Sequence, residues 1–190
     1  MALAQALTEQ PRMANHARGL WGYHGTASGG EELNVQATGI GGPSGVAILA
    51  DLAELGMRRA VRVGSCGTED PGIGLGELVV VSSGRDRTPG VRDHPLDGPA
   101  LPNAKLTERL LPGARRVSVG VAASLPGRPA PAEVEVFDLQ TVDLLYAAAA
   151  LSVDLAVVLV AARRSGRSDL DGERLEAALA EAAMAAADLL

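Results

Sequence analysis

Cysteine and aromatic residues are scarce in this chain of 190 residues, which has one Cys, one Trp, two Tyr and one Phe. The single cysteine, Cys66, excludes an internal disulfide and is typical of a reducing compartment, so we expect a cytoplasmic protein. With so few rings, the core must be built from Ala, Val and Leu, which supply most of the 47% of residues that are hydrophobic.

Excess positive charge and long apolar runs are also missing. The chain has 17 Lys and Arg against 23 Asp and Glu, a formal net charge of −6, which excludes a broad surface for nucleic-acid phosphates. No stretch reaches the roughly 18 uncharged apolar residues of a membrane-spanning helix. Residues 1–7 lack the basic start and apolar run of a secretory signal. We therefore expect neither a nucleic acid nor a membrane as a partner.

What the sequence does contain is an alternation of strand and helix patterns over its whole length. In a chain of 190 residues, this alternation predicts a single α/β domain over 1–190 with a substantial core. Residues 1–19 are predicted to form an amphipathic or frayed lead-in. Strands are predicted at 20–25, 33–38, 60–63, 77–82, 117–123 and 155–161, and helices at 43–55, 105–111, 144–153 and 173–190.

Residues 39–44, with the sequence GIGGPS, form a glycine-rich turn around which the rest of the chain is organised. Pro43 suits the first turn of a helix because its missing N–H needs no partner there, and Gly56 ends that helix. The pattern indicates a strand, a helix and a strand, so we expect strands 33–38 and 60–63 to be parallel neighbours in one sheet. Ligands bind beyond the carboxyl ends of such strands, which is where both turns lie.

The turns that follow these two strands offer groups that bind anions. The backbone N–H groups of Gly41 and Gly42 lie at a helix start and carry positive partial charge. Arg62 adds a planar cation and Ser65 adds a hydroxyl donor. The pattern favours a phosphate bound between the turn and these side chains. The alternative is that the glycines only make tight turns and that Arg62 forms an ordinary salt bridge.

A dinucleotide site is a further alternative for the same turn. The sequence nearly matches G-x-G-x-x-G, but Ser44 stands at the third glycine position. In that fingerprint an acidic residue about 20 residues further on binds the ribose. Arg62 stands in that region here, and because an arginine can bind a 2′-phosphate, an NADP site remains an alternative.

Three segments together, GIGGPS at 39–44, ELG at 54–56 and RVGSCG at 62–67, resemble the purine/uridine phosphorylase family of nucleoside phosphorylases. The combination covers about 30 residues and is specific, whereas each segment alone is a common pattern. The resemblance implies a three-layer α/β/α fold with a mixed, partly barrel-like central sheet.

The resemblance also assigns residues to the substrate. It implies that Arg62 and Ser65 bind phosphate and that Cys66 and Gly67 lie beside the nucleobase. Arg18 stands where the family has an Arg that reaches the phosphate of a neighbouring subunit. Because the family forms dimers or trimers of dimers, a homo-oligomer is implied. The alternatives are an ordinary surface arginine for Arg18 and a small buried thiol for Cys66.

The segment before the Ala-rich helix resembles the family's ribose-binding segment, in which Glu-Met-Glu opens a buried helix. Asp138, Leu139 and Gln140 stand at those three positions here. Leu139 keeps an apolar floor under the sugar, and the Gln140 amide accepts or donates hydrogen bonds to ribose hydroxyls without a charge. The alternative for Gln140 is a set of bonds to backbone groups.

The residues after the strand at 155–161 are Ala162, Arg163 and Arg164. Purine-specific members of the family have a Ser-Asp pair at this point, whose Asp protonates the departing base, and this chain has no carboxylate there. Uridine-specific members have an Asn-Arg pair, which implies that Arg163 stabilises charge on a pyrimidine carbonyl. Arg164 is the alternative if the alignment shifts by one residue.

The resemblance thus implies a pentosyltransferase that cleaves the N-glycosidic bond of a pyrimidine-type nucleoside with phosphate, giving the free base and a pentose 1-phosphate. Phosphate is a co-substrate and no cofactor is implied, since positioning and electrostatics replace a covalent nucleophile. Asp93 and His94 are adjacent, but no third ligand has suitable spacing, so no metal site is predicted. Two alternatives remain open: a nucleosidase that uses water, and a catalytically impaired paralogue that only binds nucleoside.

Overall fold

Residues 2–85, 98–121 and 134–190 are described in the structure, a computed structural model. These residues form eight strands and five helices. The strands are β1 (Glu9–Asn15), β2 (Gly22–Thr26), β3 (Glu32–Gln36), β4 (Arg59–Thr68), β5 (Leu78–Arg85), β6 (Arg115–Val121), β7 (Val136–Asp138) and β8 (Asp154–Arg163). The helices are α1 (Ala2–Leu7), α2 (Gly42–Glu54), α3 (Ala104–Arg109), α4 (Thr141–Leu151) and α5 (Gly172–Ala187).

The strands build two separate sheets. β1, β2 and β3 form an antiparallel sheet in that order, and the other five strands close into a barrel in the order β4-β7-β6-β5-β8. In the barrel, β4 runs parallel to β8 and β5 runs parallel to β6, whereas β5 is antiparallel to β8 and β4 is antiparallel to β7. The barrel is therefore mixed in strand direction, which confirms the sheet that the resemblance implied.

The predicted pairing of the two strands on either side of α2 is wrong. β3 belongs to the three-stranded sheet and pairs with β2, while β4 pairs with β8. The physical reason is burial, because β8 is buried along nearly its whole length and requires partners inside the barrel. β3 exposes Glu32 and Asn34 and forms a short hairpin with β2. β1 was not predicted, and it occupies part of the predicted lead-in.

Helices cover the barrel on two sides, because successive residues of β8 face opposite ways. Leu155, Val157 and Leu159 pack in one cluster with residues of α2 and α4. Ala156 and Val158 pack with residues of α3 and α5 on the other side. This three-layer arrangement confirms the α/β/α fold class.

Short-range signals set the ends of the helices. Pro43 lies in the first turn of α2, and Gly56, with a φ of 105°, follows its end. Asp171 caps α5 by accepting a hydrogen bond from the backbone N–H of Arg174 at 2.9 Å, and Asn103 caps α3 in the same way. None of the helices in the described part of the chain is long and apolar enough to cross a membrane.

Replacing Leu145 of α4 by alanine tests the core. Its side chain is 1% exposed, so the lost burial and the cavity left behind should lower the free energy of unfolding by about 2–5 kcal/mol. Leu55→Ala is the matched control, since Leu55 is 84% exposed and its truncation should change stability by less than about 0.5 kcal/mol. Urea denaturation followed by circular dichroism measures both variants. Equal decreases in the free energy of unfolding in the two variants would contradict the burial of Leu145 in the core.

Candidate active site

Arg62 on β4 forms an ion pair with Asp138 at the end of β7, with 2.7 Å between Nη2 and Oδ2. The two side chains are 13% and 5% exposed, so both charges are largely removed from water. Gly64 makes this possible, because a side chain at that position would overlap the Arg62 guanidinium. The cation that was predicted to bind phosphate is thus already held by a carboxylate of the chain itself.

The Asp138 carboxylate accepts three further hydrogen bonds at the start of α4. Oδ1 accepts from the backbone N–H groups of Gln140 at 3.2 Å and Thr141 at 2.9 Å, and Oδ2 accepts from the Thr141 hydroxyl at 2.7 Å. Four donors match the capacity of an ionised carboxylate, which compensates for the burial of its charge. The Arg62 Nε is buried without a partner among the described residues, so the guanidinium keeps an unused donor.

The Gln140 side chain joins this ion pair to the glycine-rich turn. Its Oε1 accepts a hydrogen bond from the Thr38 hydroxyl at 3.0 Å, and its Nε2 donates to the backbone carbonyls of Gly41 at 3.1 Å and Gly39 at 3.4 Å. Gly45 lets α4 approach α2 this closely, since a β-carbon there would lie 2.7 Å from Gln140 Nε2. Gln140 therefore makes the backbone bonds given above as the alternative to a sugar contact.

The glycine-rich turn presents an open helix start. Gly39 and Gly41 have φ values of 71° and 83°, which glycine adopts without strain. The N-cap residue, Gly41, has no side chain that could cap α2, and the backbone N–H groups of the first turn carry a positive partial charge that favours an anion. Asp143 of α4 packs against Gly42, and a carboxylate therefore lies close to this site.

The second motif spreads over both faces of β4. Arg62 is in register with Val157, and Ser65 is in register with Val160. Because side chains alternate along a strand, Arg62 and Ser65 point to opposite faces. Ser65 is exposed, and the hydrogen bond described for the Arg62 guanidinium goes to Asp138. The structure therefore brings Arg62 together with Asp138 and not with Ser65.

Cys66 and Gly67 are both buried at the end of β4. The Cys66 thiol lies 3.6 Å from the backbone carbonyl of Val160, and a β-carbon at Gly67 would lie 2.5 Å from the ring of Phe137. Burial raises the pKa of the Cys66 thiol to about 12, with a further increase from the charge of Asp138 and a partial offset from Arg62. The thiol is therefore a neutral core group and a poor nucleophile.

The other predicted arginines have different surroundings. Arg163, at the end of β8, is 75% exposed, and its Nε lies 3.4 Å from the exposed carboxylate of Asp169. The Arg164 Nη2 donates hydrogen bonds to backbone carbonyls of the loop between β4 and β5. Arg18 is exposed in a short 3₁₀ turn, with a φ of 55°. Of Arg163 and Arg164, Arg163 is the one whose guanidinium is open to a ligand.

Asp138 had no predicted role beyond its place in the ribose segment. Asp is a common residue at helix starts, where its carboxylate accepts hydrogen bonds from backbone N–H groups, so the bonds to α4 could have been predicted from the local sequence. No local pattern indicates that the partner is Arg62, which is 76 residues away. Leu139, predicted beneath the sugar, is partly buried. No group of three or more metal-ligating side chains occurs among the described residues, which do not include the Asp93–His94 pair.

The buried thiol gives a prediction for pH dependence. In the unfolded chain the Cys66 thiol ionises near its ordinary pKa of 9.0, whereas its pKa in the folded protein is about 12. The stabilisation that comes from burying the neutral thiol is therefore full below pH 9.0 and is lost as the pH rises towards 12. The free energy of unfolding, measured by urea denaturation, should fall between about pH 8 and about pH 10.5, and it should fall less in Cys66→Ala than in the wild type. Identical losses would contradict a neutral buried thiol.

Removing the Asp138 carboxylate tests whether the ion pair holds this region together. Asp138→Ala leaves a largely buried guanidinium and the donors at the start of α4 without their acceptor, so the free energy of unfolding should fall by about 3–5 kcal/mol. Asp169→Ala is the control, since it breaks an exposed pair with Arg163 and should cost less than about 1 kcal/mol. Similar losses in urea denaturation would show that the Arg62–Asp138 pair is solvated.

Comparison of the chain with known proteins identifies its family. The model of the phosphorylase superfamily matches residues 1–190. The uridine phosphorylase of Escherichia coli (strain K12) is 37% identical over 101 residues, which are 50% of this chain and 40% of that protein. The DeoD-type purine nucleoside phosphorylase of Oceanobacillus iheyensis is 32% identical over 79 residues, which are 41% of this chain and 33% of that protein. The matched regions thus span less than half the length of these relatives.

A solved structure agrees with the fold. The purine nucleoside phosphorylase of Toxoplasma gondii in complex with immucillin-H has a TM-score of 0.84 and 16% sequence identity, over 98% of this chain and 84% of that chain. At this identity the likeness shows a shared fold. Because the superfamily model covers every residue, the resemblance carried by the three sequence segments is confirmed, and the chain belongs to the phosphorylase superfamily.

Proposed function

We propose that the chain is a nucleoside phosphorylase that cleaves the N-glycosidic bond of a pyrimidine-type nucleoside such as uridine with phosphate. The observation that carries the proposal is the hydrogen-bonded path from Arg62 through Asp138 and Gln140 to the turn at Gly41. It joins the two motifs that resemble those of the family in one network. Relatives named uridine phosphorylase and purine nucleoside phosphorylase support the same reaction class.

In the proposed reaction, a phosphate oxygen forms a bond to C1′ of the sugar while the bond from C1′ to the base nitrogen breaks and its electron pair leaves with the base. The products are the free base, after it takes up a proton, and a pentose 1-phosphate. The chain would act by positioning the reactants and balancing charge, without a covalent nucleophile. Arg163 would stabilise the charge that develops on a base carbonyl. The residues proposed to hold phosphate are Gly41, Gly42 and Arg62, whereas Ser65 points to the opposite face of β4 and is left out of the proposed phosphate site.

The proposed sugar contacts come from the segment that opens α4. The Gln140 Oε1 accepts one described hydrogen bond, which leaves a lone pair for a ribose hydroxyl. Leu139 would supply the apolar floor, and Cys66 and Gly67 would form the wall beside the base. Arg18 would reach the phosphate of a neighbouring copy in a homo-oligomer, a role that its exposure supports.

A nucleosidase that uses water is the second candidate, because Asp138 already neutralises much of the charge of Arg62. A phosphate dianion would have to share the guanidinium with that carboxylate, whereas a water molecule requires no cation. In this reaction the oxygen of water forms the bond to C1′ while the bond from C1′ to the base nitrogen breaks and its electron pair leaves with the base. A proton of the water goes to the base, so the products are the free base and the free pentose.

Base release from uridine, measured with and without phosphate, separates the two candidates. Arg62→Lys keeps a positive charge but loses the planar fork that contacts two oxygens at once. We expect it to lower kcat/KM for phosphate by about a hundredfold, as the loss of one donor to reacting oxygens does elsewhere. Arg115→Lys is the matched control, because Arg115 on β6 pairs with Glu77 outside the network and should leave the rate unchanged.

Each outcome of this assay has a defined meaning. Full phosphate-dependent activity in Arg62→Lys would overturn the phosphate assignment, and equal base release without phosphate would favour the nucleosidase. Calorimetric binding of uridine without turnover in either buffer would identify a nucleoside-binding protein that lacks activity. Replacing uridine by inosine tests the pyrimidine preference, and faster cleavage of inosine would contradict it.

A further inference from the structure

The side-chain amide of Gln140 is used almost completely by the glycine-rich turn. The residue is 5% exposed, and its Nε2 donates to the carbonyls of Gly41 at 3.1 Å and Gly39 at 3.4 Å. Its Oε1 accepts a hydrogen bond from the Thr38 hydroxyl at 3.0 Å. An amide has two N–H donors and an oxygen with two lone pairs. Both donors are therefore committed to one turn, and one lone pair remains for other partners.

The neighbours of this amide fix its orientation. Carbonyl oxygens only accept hydrogen bonds, so the amide nitrogen has to face Gly39 and Gly41 and the amide oxygen has to face Thr38. The reversed amide would place Oε1 against both carbonyl oxygens. An ionised carboxylate, which has no donor, could not replace the amide without taking up a proton. The turn thus requires a neutral donor at this position.

The direction of these two carbonyls decides where the N–H groups of the turn point. In a trans peptide, the carbonyl of one residue and the N–H of the next lie in one plane and point in opposite directions. None of the described peptide bonds is cis. Because the carbonyls of Gly39 and Gly41 point at Gln140, the N–H groups of Ile40 and Gly42 point to the other side of the turn. Gly42 is the first residue of α2, so its N–H lies at the positively polarised helix start.

The two glycines permit this arrangement but do not hold it. Their φ values are 71° at Gly39 and 83° at Gly41, and glycine adopts either sign of φ about equally readily. The Gly41 carbonyl also accepts the N–H of Gly45 at 3.3 Å, whereas the hydrogen bond described for the Gly39 carbonyl comes from Gln140. A restraint from outside the turn is therefore needed, and the side chain of Gln140 supplies it.

We propose that Gln140 is a positioning residue for the phosphate of the proposed reaction. Its amide holds the carbonyls of Gly39 and Gly41 on the inner side of the turn, so that the N–H groups of Ile40 and Gly42 are available to an anion on the outer side. Ile40 thereby joins the proposed phosphate site through its backbone. This role rests on the proposed function, which identifies the anion as phosphate, and it requires no contact between Gln140 and the substrate.

Gln140→Glu tests this role because it keeps the shape of the side chain and removes both N–H donors. At neutral pH the introduced carboxylate repels the two carbonyl oxygens, so the peptide planes of the turn should rotate. Burial and the charges of Asp138 and Asp143 should raise the pKa of the introduced carboxyl above its ordinary value of about 4.3, and the charge of Arg62 should oppose this rise. A protonated carboxyl regains one donor, so the defect should diminish as the pH falls.

The dissociation constant of inorganic phosphate, measured by calorimetry, is compared between variant and wild type at about pH 5.5 and about pH 7.5. Because phosphate changes its own charge over this range, the ratio of the two constants is the quantity that matters. Phosphate should bind to Gln140→Glu at least about tenfold more weakly at the higher pH, with a several-fold smaller ratio at the lower pH. The dissociation constant of uridine should change by less than about twofold.

Two results would overturn the positioning role. The first is a phosphate ratio for Gln140→Glu that is the same at both pH values. The second is tighter binding of uridine with unchanged binding of phosphate. That second result is expected of a direct sugar contact, since a carboxylate accepts hydrogen bonds more strongly than an amide.

Gln36→Glu is the matched control. The Gln36 amide also donates to backbone carbonyls, those of Leu20, Trp21 and Ala37, but none of these belongs to the turn, so this variant should leave phosphate binding unchanged. If Gln140→Glu does not fold, Gln140→Met replaces it. That side chain is neutral and of similar length, so it should weaken phosphate binding by about tenfold at both pH values. Unchanged phosphate binding in Gln140→Met would overturn the positioning role.

Selective labelling makes the Ile40 N–H directly visible in an NMR spectrum. The chain has three isoleucines, Ile40, Ile48 and Ile73, so isotope-labelled isoleucine gives one amide signal for each. Ile48 lies within α2, and the N–H of Ile73 donates to the carbonyl of Asp70 at 3.1 Å, so their signals are internal controls. Phosphate should shift the Ile40 signal in the wild type and much less in Gln140→Glu. Shifts of equal size would overturn the positioning role.

Turnover separates a failure of this role from a failure of the proposed function. Phosphate-dependent cleavage of uridine by the wild type, together with equal phosphate binding by wild type and Gln140→Glu, would overturn the positioning role alone. The expected binding pattern without any turnover would contradict the proposed reaction and support the role of Gln140 at an anion site. A wild type that binds no phosphate would overturn both.

Discussion

The buried carboxylate of Asp138 decides where the other parts of the candidate site lie. It balances the charge of Arg62 at 2.7 Å and also accepts the N–H groups at the start of α4. A guanidinium buried without this partner would be strongly unfavourable, so β4, β7 and α4 have to meet at this point. Gln140 lies in the same turn, and its side chain donates a hydrogen bond to the carbonyl of Gly41, so the glycine-rich turn is tied to the same ion pair.

The same ion pair sets the electrostatics of any anion that binds here. Arg62 and the open start of α2 favour negative charge, whereas the carboxylates of Asp138 and Asp143 oppose it. A bound phosphate has to compete with Asp138 for the guanidinium or use its unpaired Nε. In the proposed reaction, the balance between these charges would decide whether phosphate or water is the attacking group.

By itself, the sequence determined the local elements, because Pro43, Gly56 and the apolar pattern of β8 act over a few neighbouring residues. It also determined the family, since three short segments at fixed spacing carry the resemblance. Only the tertiary structure decided that β4 pairs with β8, that Arg62 meets Asp138, and that Ser65 points to the opposite face. The physical reason is that buried strand edges and buried charges pair with residues that are distant in the sequence, and no local pattern predicts which residues these are.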